Sequence, residues 1–102
     1  MRRPVIPSEC EHNAHMYYLL LPESVRRDDI MARLKEEGIG AIFHYIPLHS
    51  APGGLRYARV GSTMDNTDDL SARIIRLPLW AGMTDNEVDR VIEGVKLIIE
   101  SL

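Results

Sequence analysis

The sequence has one cysteine, Cys10, among its 102 residues. No internal disulfide can form, cysteine-rich zinc patterns are excluded, and a reducing, cytoplasmic setting is the expectation. Long apolar runs are also missing, since nothing approaches the ~20 residues that a membrane-spanning helix needs. Nor does one sign of charge dominate. Twelve Lys and Arg against fifteen Asp and Glu give a formal net charge of −3. The two signs are interspersed without a basic stripe, so the electrostatic footprint of a nucleic-acid binder is absent. The opening Met1–Pro7 (MRRPVIP) is charged but lacks the apolar segment of a secretory signal. Pro4 and Pro7 disfavour helix there, so residues 1–12 read as an extended lead-in.

What is present fits a single small domain spanning residues 1–102, 45% hydrophobic and 26% charged, with room for one modest core. Ala14–Leu21 (AHMYYLLL) predicts a strand, bounded by polar His12 and Asn13 and by Pro22. Alternation puts His15, Tyr17, Leu19 and Leu21 on one face and Met16, Tyr18 and Leu20 on the other, so both faces call for cover. Val25–Glu37 predicts a helix with a narrow apolar stripe of Ile30, Met31 and Leu34, capped by Ser24 or starting later at Arg27, and stopped by Gly38. Ile39–Ile46 then predicts a second strand, ended by Pro47.

Residues 50–69 read as a long loop that either conceals a short helix around Leu55–Val60 or serves binding. A further short helix is expected over Asp65–Arg73. Ile74–Leu79 predicts a third strand whose Pro78 confines it to an edge or to the strand end. Thr84 and Glu87 form the sequence signature of a capping box. Behind them Val88, Val91, Ile92, Val95, Ile98, Ile99 and Leu102 recur at helical spacing. The expected fold is therefore α+β, a three-stranded sheet in the order β-α-β-β-α with helices mainly on one face. Two helices cannot readily coat both sides of such a sheet, so part of one face is expected to meet something outside the chain.

Chemistry concentrates in Gly40–His49 (GAIFHYIPLH), which carries His44, Tyr45 and His49 from a strand into a Pro-Leu-His corner. Strand ends running into loops commonly hold binding groups, whereas a histidine in an apolar strand is also often a hydrogen-bonded core residue. Pro47 between the two histidines rules out the helical i, i+4 ligand pair of many zinc sites, and no metal set is expected. Cys10 has no identifiable base beside it. Gly53-Gly54 lacks the context of a phosphate-cradling loop, and Lys35 and Lys96 both fall on polar helix faces. No catalytic residue is expected in this chain.

Asn13–Leu21 (NAHMYYLLL), Leu34–Ile39 (LKEEGI), Phe43–His49 (FHYIPLH) and Arg76–Leu79 (RLPL), followed by the Thr84 capping box, together resemble the C-terminal portion of DegT/DnrJ/StrS-type sugar-nucleotide aminotransferases. NAHM combined with FHYIPLH is most similar to the dTDP-4-amino-4,6-dideoxygalactose transaminases within that family. The resemblance implies the small C-terminal domain of a fold-type I enzyme that uses pyridoxal 5'-phosphate and is homodimeric. Its lysine and cofactor site would lie in a large domain outside this chain, which alone would be inactive. It further implies a substrate-binding role for His44, Tyr45 and His49, with Pro47 and Leu48 shaping the corner and Arg56 and Tyr57 facing the nucleotide or the dimer partner. The large domain, a nucleotide-sugar substrate and a second copy are thus the expected partners. A different class, a free-standing ligand-binding or dimerisation module without catalysis, is the alternative.

Overall fold

The computed structural model describes residues 1–102. It consists of β1 (Tyr17–Leu20), α1 (Arg27–Glu36), β2 (Ile42–Phe43), α2 (Pro52–Tyr57), α3 (Asp65–Arg73), β3 (Ile74–Leu77) and α4 (Asp85–Glu100). The three strands form one sheet in the order β1-β3-β2. Both outer strands run antiparallel to β3, with Leu19 opposite Ile75, and Phe43 opposite Ile75 from the other side. β1 and β2 therefore run in the same direction, separated by the strand that comes last in sequence. Pro78 falls just outside β3, where its missing amide hydrogen costs no ladder bond. Of the two expected placements, the strand end is the one observed.

Leu19 and Ile75 share the face on which the helices pack. With Leu21, Ile30, Leu34, Ile39 and Ile98 they form the buried core, flanked by Val25, Met31, Val91 and Val95. Thr84 caps α4 as its sequence predicts: the hydroxyl accepts from the Glu87 amide, and the Glu87 carboxylate accepts from the Thr84 amide. Both interactions satisfy amides that the first helical turn leaves free. The Thr84 amide and hydroxyl each donate to the Glu87 carboxylate at 2.8 Å and hold it below its ordinary range, the amide contributing more than the hydroxyl. Gly94 lets α4 pack closely on Ile39, since a Cβ there would strike that side chain. Gly38 closes α1 with φ +73°, the left-handed conformation that glycine adopts without strain.

Of the two expected starts for α1, the later one at Arg27 is observed, and neither Ser24 nor any other side chain caps it. Other expectations change. The first strand is shorter than its apolar run because Ala14 takes a positive φ of 50° and His15 is held by Asn13 at 2.6 Å. Alternation therefore does not extend back to Met16. That residue lies instead with Tyr17, Leu19 and Leu77 along a groove of about 870 Å³, walled by α4 and the lead-in. Leu20 is only 7% exposed, so its face is not bare at that position. The lead-in returns along the β1 edge, where Arg2 and Leu20 exchange two backbone hydrogen bonds of 2.9 Å, and Pro4, Leu70 and Ile74 line the same hollow. Within residues 50–69 the concealed helix exists but sits earlier than expected, because Pro52 at its first position pre-sets the helical φ. The helix expected over Asp65–Arg73 has those bounds.

Candidate functional site

The corner after β2 is built from backbone turns. The Pro47 carbonyl accepts from the amides of Ser50 and Ala51 at 3.2 and 3.1 Å, and from the Ser50 hydroxyl at 3.1 Å. α2 follows at once and lies so close that a Cβ on Gly54 would collide with the Leu48 carbonyl. Glycine at 54 is thus what lets the helix seat against the corner. The apolar side chains of the corner point away from the core: Tyr45 is 75% exposed and Leu48 83%, with Ile46 also largely bare.

The two histidines are held differently. His44 packs edge-on against Tyr45, ring centroids 5.2 Å apart, and its Nδ1 is buried without a hydrogen-bond partner. His49 is half-buried and joins Asp68 on α3, Nε2 to Oδ1, at 2.8 Å. No hydrogen bond links the two. Arg56 and Tyr57 are exposed on α2, where the guanidinium lies 5.1 Å from the ring centre. They reach the corner only through the seating of Gly54, and make no hydrogen bond or ring contact with His44, Tyr45 or His49. No three His, Cys, Asp or Glu side chains converge as a metal set would, and Cys10 is exposed.

Three residues at the site were not among the sequence candidates. Asp68 is one; an acidic residue near the start of a helix reads as dipole compensation, and its partner lies nineteen residues away. Arg76 is the second. Opposite Tyr18 and Ile42 in the sheet, it occupies the face away from the core, with its guanidinium 5.9 Å from the Tyr45 ring centre. A charge at the centre of the strand IIRLPL was the available signal. Arg27 is the third, donating to the Ser71 carbonyl at 2.8 Å and lying 5.2 Å from the Phe43 ring centre. It ties α1 to the end of α3 and covers the core side of β2. Beside it Arg73 bonds Asp69 and the Leu21 carbonyl, and the hydrogen bond from Arg73 holds the Asp69 carboxyl below its ordinary range.

The fold of this α+β unit recurs within solved aminotransferases. It superimposes on the aminotransferase TlmJ from Streptoalloteichus hindustanus with a TM-score of 0.82, at 27% identity, covering 98% of this chain and 26% of that one. An aminotransferase from Brucella abortus shares the fold at 24% identity, with a TM-score of 0.68 over 81% of this chain and 22% of that one. The DegT/DnrJ/EryC1/StrS aminotransferase family model matches residues 2–96, and the chain belongs to that family. It is 31% identical to the spore coat polysaccharide biosynthesis protein SpsC of Bacillus subtilis, the match covering 95% of this chain and 26% of SpsC. The chain thus spans about a quarter of the length of that curated relative.

Proposed function

We propose that this chain is the small C-terminal domain of a pyridoxal-phosphate-dependent transaminase acting on a 4-keto-6-deoxy sugar nucleotide. The enzyme would be of the dTDP-4-amino-4,6-dideoxygalactose transaminase type, with glutamate as donor, in surface polysaccharide or lipopolysaccharide synthesis. The family match over residues 2–96 by a chain a quarter of SpsC's length carries the reading. Pyridoxal phosphate supplies the electron sink in enzymes of this kind. The residues of this chain do not fit it: Lys35 and Lys96 are both exposed on helix surfaces, and the Gly53-Gly54 pair lies within a six-residue helix, not in a phosphate loop. No step through the cofactor is assigned to this chain.

Its own contribution is positioning. His44, Tyr45 and His49 form a wall against the sugar, Pro47 and Leu48 fix the turn, and Arg56 and Tyr57 face the nucleotide or the second copy of a homodimer. The exposed Tyr45, Ile46 and Leu48 support a surface that is covered in a larger assembly, since contiguous bare apolar residues commonly mark such contacts. Two measurements test the reading. The coding sequence contiguous with this chain is expected to encode a large domain with a cofactor-binding lysine. Pyridoxal phosphate added to the 102-residue chain is expected to leave no borohydride-stable adduct. A stoichiometric adduct at Lys35 or Lys96, or a tight, well-packed homodimer of the chain with no large domain encoded, would sink it in favour of a free-standing module.

A further inference from the structure

We infer that Asp68 is a positioning residue for His49, and that it sets the chemistry the corner offers a ligand: a hydrogen-bond acceptor at His49 Nδ1, suited to a hydroxyl or amino group and unsuited to a phosphate. The inference rests on the sugar-wall reading for its ligand and on geometry alone for its first half. Oδ1 of Asp68 stands 2.8 Å from Nε2 of His49. An ionised carboxylate can only accept, so Nε2 must carry the proton of that bond. In the neutral ring the other nitrogen is then a bare lone pair.

That lone pair is available. Nδ1 of His49 makes no hydrogen bond within the chain. His44 Nδ1 is the only buried side-chain polar atom without a partner, so His49 Nδ1 is not sealed off. The ring itself keeps 15% of its side-chain surface exposed, against 58% for Asp68. It is thus anchored by one nitrogen, with little freedom to turn, and open at the other.

The neighbouring framework favours this orientation. α3, which carries Asp68, is tied to α1 through Arg27 and the Ser71 carbonyl, and to the end of β1 through Arg73 and the carbonyl of Leu21, the residue that follows the strand. Asp68 therefore projects from a braced element onto a turn held by the Pro47 carbonyl. A group anchored in this way aligns a partner better than a free imidazole, which samples both tautomers and several rotamers. Against a phosphate the same arrangement fails, because a lone pair facing an anionic oxygen repels it, and a donor there would require a second proton on the ring.

Nitrogen-15 spectra of the histidine-labelled 102-residue chain, recorded where imidazole is neutral, test the first half. His49 is assigned by loss of its signals in His49→Gln. The expected result is a protonated Nε2 with a slowly exchanging proton, kept in Asp68→Asn, whose amide oxygen can still accept, and lost to solvent exchange in Asp68→Ala. A proton on Nδ1, or an unchanged spectrum in Asp68→Ala, overturns the positioning.

The second half is read on the complete enzyme containing this domain, with dTDP-4-keto-6-deoxyglucose and glutamate as probes. Asp68→Ala is expected to raise KM for the sugar nucleotide about tenfold, the loss of roughly one hydrogen bond, with KM for glutamate unmoved. His49→Gln combined with Asp68→Ala is expected to be no worse than His49→Gln alone. Normal tautomer signals with additive losses, or with an unmoved KM, would overturn the acceptor role. A complete enzyme that turns over neither probe would refute the sugar-wall reading and the hydroxyl assignment together. The tautomer spectra still decide the positioning by themselves.

Discussion

Gly53 and Gly54 are adjacent in one short helix and should respond in opposite ways to the same change. Neither has a left-handed φ, so alanine fits the backbone at both. Replacing either removes freedom from the unfolded chain, a gain of about 0.4–1 kcal/mol. At Gly53 nothing lies within 4 Å of the added methyl, so that gain stands alone. At Gly54 the methyl would collide with the Leu48 carbonyl oxygen and lie 2.7 Å from its carbon and 3.4 Å from the His49 amide nitrogen. These are backbone atoms that no rotamer change can clear. Overpacking of this sort costs about 1–3 kcal/mol. Since the backbone gain is common to both variants, the difference between them isolates the collision. We expect Gly54→Ala to melt roughly 10 °C below Gly53→Ala, using the 4–8 °C per kcal/mol of a domain this size. Thermal unfolding followed by circular dichroism gives the difference. Amide spectra should show displacement at Leu48 and His49 in Gly54→Ala alone. Equal melting temperatures with undisturbed corner amides would refute the seating of α2 on the corner.

Thr84→Ala should lower the melting temperature by about 4–8 °C, the effect of losing a helix cap of about 1 kcal/mol. Asp69 and Glu87 both have carboxyls held below their ordinary values of 3.8 and 4.5. The unfolded chain consequently binds more protons through that acid range. Their stabilisation is complete above those values and is lost as pH falls through the lower folded ones. Urea midpoints measured against pH should decline there, and Asp69→Asn should flatten the decline. Arg27→Ala removes the Ser71 contact and uncovers Phe43. Hydrogen exchange should quicken in α3 and β2 while α4 keeps its protection.

Much of this architecture was legible locally. The α4 start was written in Thr84 and Glu87, whose side chains choose their partners within one turn. The α3 bounds also agree with the sequence, although no side chain caps that helix. Strand order was not legible, because which of three short apolar segments lies in the middle depends on pairings between residues far apart in the chain, such as Phe43 with Ile75 and Tyr17 with Leu77. The Met16 placement failed because a period-two pattern cannot register the reversal at Ala14. Within the site, Tyr45 and the two histidines stood out by their chemistry beside Pro47. Asp68 did not, because its meaning depends on a loop and a helix bringing it back to His49. Arg76 carried a visible signal, a charge flanked by isoleucine and leucine, whose significance emerged only when β3 proved central.

That central position has a consequence for how the domain is made. β1 and β2 pair with β3 and not with each other, so a nascent chain that has emerged only as far as Arg73 holds two strands that lack their shared partner, with β1 bridged only by Arg2. The sheet can close only when Ile74–Leu77 clears the ribosome. Synthesis proceeds at about 5–20 residues per second, which leaves β1 waiting for several seconds with Tyr18, Leu19 and Leu20 uncovered. Arrest or cleavage in that interval would release a polypeptide with open strand edges, the form most prone to pair with its own kind.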